Sequence, residues 1–74
     1  MYTYNINVAL GNVLRRYRES RHMTQEEFSE ICEISRAYYG RVERGEHSLT
    51  VEACHKIANV LNIRIADLFS ELPE

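Results

Sequence analysis

The start of a helix is marked in the same way at three places in this 74-residue sequence. At Thr24 a hydroxyl residue stands three positions before Glu27, the spacing of a capping box, in which each side chain bonds the other residue's backbone N–H. Met23 and Phe28 occupy the positions of a hydrophobic staple, which fixes the angle at which the chain enters the helix. A helix is therefore expected to begin at Gln25.

Ser35 and Thr50 repeat the hydroxyl cap and the apolar pair around it. Their staple pairs are Ile34 with Tyr39 and Leu49 with Cys54. Gly45 can end the middle helix, because glycine adopts a left-handed conformation without steric cost. Residues 24–45 therefore predict two short helices joined by a tight turn.

The helix expected over residues 36–44 has one cationic face. At about 100° per residue, five residues share an arc of roughly 140°: Arg36, Gly40, Arg44, Ala37 and Arg41. A solvated face usually mixes charges of both signs, whereas this face holds three arginines and no carboxylate. Arginine suits phosphate contacts and bidentate contacts with guanine in the major groove. Gly40 costs about 1 kcal/mol of helix stability, which a close approach of its backbone to another molecule would explain.

Residues 10–69 resemble the lambda-repressor/Cro-like family of helix-turn-helix domains, also called the Xre family. The matching segments are LGNVLRRYRESRHMTQEEFSE, ISRAYYGRVERGE and LTVEACHKIANVLNIRIADLF. The resemblance implies an all-α, compact five-helix domain with its helix-turn-helix at about 25–44, whose second helix crosses the DNA backbone and whose third enters the major groove. We assign residues 8–72 to this single domain, 1–7 to an N-terminal extension and 73–74 to a tail.

The resemblance also implies roles for individual residues. The positions that reach base edges are matched by Arg36, Ala37, Tyr38 and Arg41. The positions that contact the DNA backbone are matched by Gln25, Gly40, Arg44, His47, Ser48 and Thr50. Gln25 also stands at a helix N-terminus, which favours phosphate. Arg18 and Glu43 match an ion pair that ties the first helix to the third.

Four positions depart from the family pattern, and one of them, Ser29 in place of a frequent alanine, is a small change that should fit. Glu33 stands in the turn where glycine or asparagine is usual, so we expect a strained or differently shaped turn. Ile31 replaces a residue that is commonly polar, which would leave an apolar side chain exposed. Arg64 takes the cap position of the last helix, so we expect a short helix around residues 66–69.

Apolar residues at helical spacing predict one core. The stripes are Leu10, Val13, Leu14 and Tyr17 on the first helix, Phe28 and Cys32 on the second, and Val51, Cys54, Ala58 and Leu61 on the fourth. A chain of this length forms one domain, which is marginal unless a core or a partner adds burial. The C-terminal apolar group, Ile65, Leu68, Phe69 and Leu72, either packs within the chain or forms a two-fold dimer interface. A dimer would fit a palindromic operator.

The net charge of −2 is the main objection to DNA binding, because domains that bind nucleic acids are typically basic. The arginines nevertheless cluster on the first and third helices, and acidic residues gather at the C-terminus. A locally positive face can bind phosphates despite an acidic far side. We expect weak nonspecific affinity, with base contacts and dimerisation supplying much of the specific binding.

Nothing in the sequence indicates an enzyme, a cofactor or a metal site. Cys32 and Cys54 form no CxxC pair, and the three histidines lack the spacing of metal ligands. Buried free thiols in a reducing cytoplasm explain both cysteines. No phosphate-binding glycine loop, nucleophile elbow, signal peptide or membrane span is present, so a cytoplasmic protein is expected.

These features predict a dimeric, sequence-specific DNA-binding regulator of transcription, either a repressor or the controller of a restriction-modification system. The segments HSLTVEACHKIA and SRAYY favour the controller group. One alternative is the antitoxin of a toxin-antitoxin pair, for which Ile31 and the alternating N-terminus would be partner surface. Another is a protein-interaction module without DNA binding, favoured by the acidic total. Whether RNA polymerase or a toxin is a partner stays open.

Overall fold

Five helices make up the part of the chain that the structure, a computed structural model, describes, residues 5–72. They are α1 (Ile6–Ser20), α2 (Gln25–Cys32), α3 (Arg36–Glu43), α4 (Val51–Leu61) and α5 (Ile65–Ser70). The expected five-helix, all-α architecture is confirmed. Residues 1–4 and 73–74, most of the predicted extension and all of the predicted tail, lie outside the described residues.

The three predicted caps are all present. The Thr24 hydroxyl accepts a hydrogen bond from the N–H of Glu27 at 3.1 Å, and the Glu27 carboxylate accepts one from the N–H of Thr24 at 2.9 Å. The Ser35 hydroxyl accepts from the N–H of Tyr38 at 3.2 Å, and the Thr50 hydroxyl accepts from the third residue of α4 at 3.1 Å. These bonds satisfy N–H groups that a helix start leaves without a partner. Sequence-local chemistry therefore sets where α2, α3 and α4 begin.

Helix α1 begins earlier than the predicted domain boundary. Asn5 caps it, and the Asn5 side chain accepts hydrogen bonds from the N–H groups of Asn7 and Val8 at 3.0 and 3.1 Å. Ile6 and Asn7, which were expected in the extension, therefore belong to the first turn of α1.

The turn between α2 and α3 is strained at Glu33, one of the two outcomes expected there, because this residue has a positive φ. This residue has φ 59° and ψ 43°, a left-handed conformation that costs a residue with a side chain about 1 kcal/mol. Hydrogen bonds hold the turn: the N–H of Glu33 donates to the Glu30 carbonyl at 3.1 Å, and the N–H of Ile34 donates to the Ser29 carbonyl at 3.0 Å. Lys56 of α4 adds a bond to the Glu33 carbonyl at 3.1 Å. The turn thus has the shape that glycine usually provides.

A single apolar core lies between the helices. Its buried residues are Val13, Leu14, Phe28, Cys32, Tyr39, Val42, Cys54, Ile57, Ala58, Leu61 and Leu68. The prediction for Val51 is wrong: its side chain is 83% exposed, because it occupies the first position of α4, at the edge of the apolar face. No helix within residues 5–72 is long and apolar enough to cross a membrane.

Helices α1 and α3 approach most closely at Gly11. A Cβ atom at this position would collide with the Glu43 carbonyl oxygen and would lie 2.8 Å from the Val42 carbonyl oxygen. Only a residue without a side chain lets the backbone of α1 lie against the end of α3. Sequence spacing carries no signal for this role, because a glycine in a helix acquires it only from the neighbouring helix.

Replacing Gly11 with Ala is expected to destabilise the fold. Alanine favours the helix by about 1 kcal/mol, but the added methyl group must push α1 away from α3, an overpacking that costs about 1–3 kcal/mol. Urea unfolding measures the difference. Asn12→Ala, at the exposed neighbouring position of α1, is the control and should change little. A Gly11→Ala protein more stable than wild type would show that the helices can separate freely.

Candidate nucleic-acid interface

One face of α3 is exposed and carries arginine. Arg36, Ala37 and Arg41 are exposed, whereas Tyr39 and Val42 on the opposite face are buried in the core. The Ser35 cap begins the helix directly before Arg36, so the first turn of α3 stands at the molecular surface. Three of the four predicted base-reading residues are therefore accessible.

Three residues predicted to contact the DNA backbone lie together where α2 begins beside α3. A Cβ atom on Gly40 would lie 3.4 Å from Oε1 of Gln25 and 3.1 Å from Nη1 of Arg44. Gly40 is buried beneath these two side chains. Its lack of a side chain therefore makes room for two residues of its own chain, and this corrects the expectation that its backbone approaches another molecule directly.

A buried ion pair connects the helices behind this face. Nε and Nη2 of Arg18 donate to the two carboxylate oxygens of Glu43 at 2.9 and 2.8 Å. Nη1 of Arg18 donates to the Met23 carbonyl at 2.7 Å, just before α2. Nε2 of Gln25 donates to the same carboxylate at 2.9 Å. Glu43, only 2% exposed, thus joins α1, α2 and α3.

The charge state of this cluster follows from its contacts. Burial alone would raise the pKa of Glu43, but the hydrogen bonds from Arg18 and Gln25 outweigh it and the pKa lies below its ordinary value. The hydrogen bond to Glu43 raises the pKa of Arg18, although burial opposes it. Burial, followed by the Glu43 carboxylate, raises the pKa of the nearby Tyr39 phenol. At neutral pH the cluster therefore contains a charged arginine, a charged carboxylate and a neutral phenol.

Tyr38 holds the loop that follows α3. Its hydroxyl donates to the Ser48 carbonyl at 3.1 Å and accepts from the Thr50 N–H at 2.9 Å. Its ring meets the His47 ring edge-on, with centroids 5.2 Å apart. His47, Ser48 and Thr50, the predicted backbone contacts of this loop, are all exposed. The Tyr38 hydroxyl thus supports the loop instead of pointing freely toward base edges, and sequence spacing carried no signal for this bond.

The C-terminal apolar group divides between core and surface. Leu68 is fully buried, so its assignment to a dimer interface is wrong, and Leu72 packs against the core of its own chain. Ile65 and Phe69, one turn apart on α5, remain exposed. The departure at Arg64 also has the expected result: α5 has six residues, and the Asp67 carboxylate accepts from the N–H of Arg64 at 2.9 Å in place of a hydroxyl cap.

Both cysteines within residues 5–72 are enclosed, and the potential metal ligands there are dispersed. No group of three or more His, Cys, Asp or Glu side chains there could hold a metal ion. Cys32 and Cys54 are buried free thiols, and burial raises the pKa of Cys32 to about 11 and that of Cys54 above its usual value. A protonated, enclosed thiol is a poor nucleophile.

A capped helix, a tight turn and an arginine-bearing second helix, held by a buried ion pair, define a helix-turn-helix regulator of the DNA-binding class. The helix-turn-helix family HTH_3 matches residues 14–68, and the chain belongs to this family. It is similar to control protein C.MunI from a Mycoplasma species, with 30% identity over 69 residues that cover 92% of this chain and 93% of the relative.

The chain is also similar to a second control protein and to a controller protein of known structure. Control protein C.BamHI from Bacillus amyloliquefaciens is 31% identical over 67 residues, which cover 89% of this chain and 83% of that protein. The crystal structure of the restriction-modification controller protein C.AhdI from Aeromonas hydrophila superposes with a TM-score of 0.83 at 32% identity, covering 89% of this chain and 100% of that one.

The ion pair predicts a defined response to acid. Because the pKa of Glu43 is lowered on folding, its contribution is fully present above the unfolded-state pKa of about 4.3 and is lost as the pH falls through the folded value. Glu43→Gln removes the buried partner of the Arg18 charge and should destabilise the protein at pH 7 by about 3 kcal/mol. Urea unfolding from pH 7 to pH 3 should show this difference shrinking in acid; a constant difference would contradict it. Glu19→Gln, an exposed carboxylate 4.0 Å from Arg18, is the control.

Proposed function

We propose that this protein is a sequence-specific, DNA-binding regulator of transcription of the controller type, which binds a palindromic operator in the cytoplasm as a dimer. The main support for this proposal is the exposed arginine face of α3. The Arg18–Glu43 pair, which fixes α3 against α1 and α2, supports it further. Similarity along most of the chain to restriction-modification controllers supports the biological role. Catalysis forms no part of this function.

In the proposed complex α3 enters the major groove. Arg36 and Arg41 each carry the planar donor fork that matches O6 and N7 of guanine, and the methyl group of Ala37 suits the methyl group of thymine. The three residues are exposed within two turns of one helix. Their close spacing would let one helix read adjacent base pairs.

Contacts with the DNA backbone would set the register of α3. Gln25 lies at the N-terminus of α2, where helix N–H groups and the helix dipole favour phosphate. On the other side of α3, the loop held by Tyr38 presents His47, Ser48 and Thr50. Phosphate contacts on both flanks would hold the helix in the groove without carrying sequence information themselves.

Dimerisation is proposed to use the exposed part of α5. Ile65 and Phe69 lie four positions apart, so their side chains share one side of the helix. Both are large apolar residues left at the surface of a small domain. A second copy related by a two-fold axis would cover the same pair on each chain and place two α3 helices on successive half-sites.

Removing a base-reading arginine should weaken binding and broaden sequence preference. Arg36→Ala or Arg41→Ala deletes a bidentate donor worth about 1–3 kcal/mol of discrimination. Selection from a random duplex pool, followed by titration of the selected and permuted sites, measures both effects. Arg16→Ala is the matched control, because Arg16 is an exposed arginine of α1, away from α3, and its Nη2 lies 3.9 Å from Oε1 of Glu71. Unchanged operator preference in both α3 variants would refute the assignment.

Placing a charge on the α5 surface should separate the dimer. Phe69→Lys would bring two like charges together at the proposed two-fold axis, and sedimentation should show a monomer with weaker operator binding. Ile31→Lys introduces the same residue at an exposed apolar position on α2, and it should leave the association state unchanged. If Phe69→Lys stays as dimeric as wild type, the interface must lie elsewhere.

A further inference from the structure

The arginines that the proposed function places against DNA differ, in the unbound chain, in whether a carboxylate lies beside them. Nη1 of Arg36 lies 3.3 Å from Oε1 of Glu26 on α2. Nε and Nη2 of Arg44 lie 3.2 and 3.4 Å from the two carboxylate oxygens of Glu46. Arg41, by contrast, has no carboxylate within ion-pair distance in the described part of the chain. Two of three cations on this face therefore already have an anionic partner.

Both ion pairs are at the surface and can open. The side chains of Arg36 and Glu26 are 67% and 66% exposed, and those of Arg44 and Glu46 are 50% and 57% exposed. Pairs this exposed add little stability, because water screens them and ordering two long side chains opposes them. Their position beside α3 therefore calls for an explanation other than fold stability.

The consequence for DNA binding is electrostatic. Nonspecific affinity grows with the number of cations that replace counterions at phosphates. An arginine paired with a carboxylate contributes almost nothing to that number, since the pair as a whole is neutral. With Arg36 and Arg44 paired, the face meets unrelated DNA with Arg41 as its uncompensated α3 cation, in a chain whose net charge is already −2.

Operator DNA offers what unrelated DNA lacks. A correctly placed guanine edge would give Arg36 a bidentate partner in place of Glu26. The resulting register would bring a phosphate to Arg44 in place of Glu46. On the operator these specific contacts offset the loss of each pair, whereas on unrelated DNA a phosphate contact alone offsets less of it.

We propose that Glu26 and Glu46 are specificity-determining residues, counter-charges that hold Arg36 and Arg44 in the unbound protein and lower its affinity for unrelated DNA more than for its operator. The proposal rests on the proposed function, because it concerns the same α3 face. The acidic residues of the chain, which at first argued against DNA binding, would then help the protein to discriminate between operator and unrelated DNA.

The test uses Glu26→Gln and Glu46→Gln in the full chain, which remove each charge while keeping the side-chain size. Titration is made with the operator obtained by pool selection and with an unrelated duplex, at several salt concentrations. Each variant frees one arginine to contact a phosphate, which adds about 0.9 to the magnitude of the slope of log K against log[salt]. Each variant should therefore bind unrelated DNA up to about eightfold more tightly at about 0.1 M salt. Operator affinity should rise less, and the specificity ratio should fall.

Glu71→Gln is the matched control. It removes the same charge from another exposed pair, with Arg16 at 3.9 Å, and should leave unrelated-DNA affinity nearly unchanged. Equal gains in the control and the two variants would mean that total charge alone acts, and this would overturn the proposal. So would an unchanged specificity ratio in Glu26→Gln and Glu46→Gln. Wild-type protein that selects no duplex would instead overturn the proposed function itself, and this inference with it.

Discussion

The buried Arg18–Glu43 pair is the constraint on which the recognition face depends. Its two hydrogen bonds tie α1 to the end of α3, and the same carboxylate accepts from Gln25 at the start of α2. Breaking such a pair from one side leaves an uncompensated charge in a poorly solvated place. The pair therefore acts less as a source of stability than as a device that allows one arrangement of α2 and α3, the arrangement that aims the arginines outward.

Two glycines and one tyrosine also help to hold α3 and the loop after it in this arrangement. Gly11 lets α1 approach the carbonyl end of α3 closely enough for the ion pair to form, and Gly40 leaves room for Gln25 and Arg44 over α3. Tyr38 then fixes the following loop through its hydroxyl. The contacts of Gly40 and Tyr38 join segments that the proposed complex presents to DNA together, and a rigid surface loses less entropy on binding.

Much of the fold was predictable from the sequence because its signals are local. Each cap at Thr24, Ser35 and Thr50 depends on a residue three positions further along the chain, so the sequence alone reveals it. The failures arose where a helix position alone does not decide burial. Val51 has the apolar character of a core residue but is the exposed first residue of α4, and Leu68 was assigned to an interface but is buried in the core.

The sequence by itself determined where α2, α3 and α4 start, which face of α3 carries arginine and that one small core was available. Only the tertiary structure decided that Gly11 is a contact point, that Tyr38 supports a loop and that Glu26 faces Arg36 of α3. The physical reason is the reach of the interactions. Caps and periodicity act within one or two helical turns, whereas these contacts depend on the distance and angle between separate elements, which packing of the whole core sets.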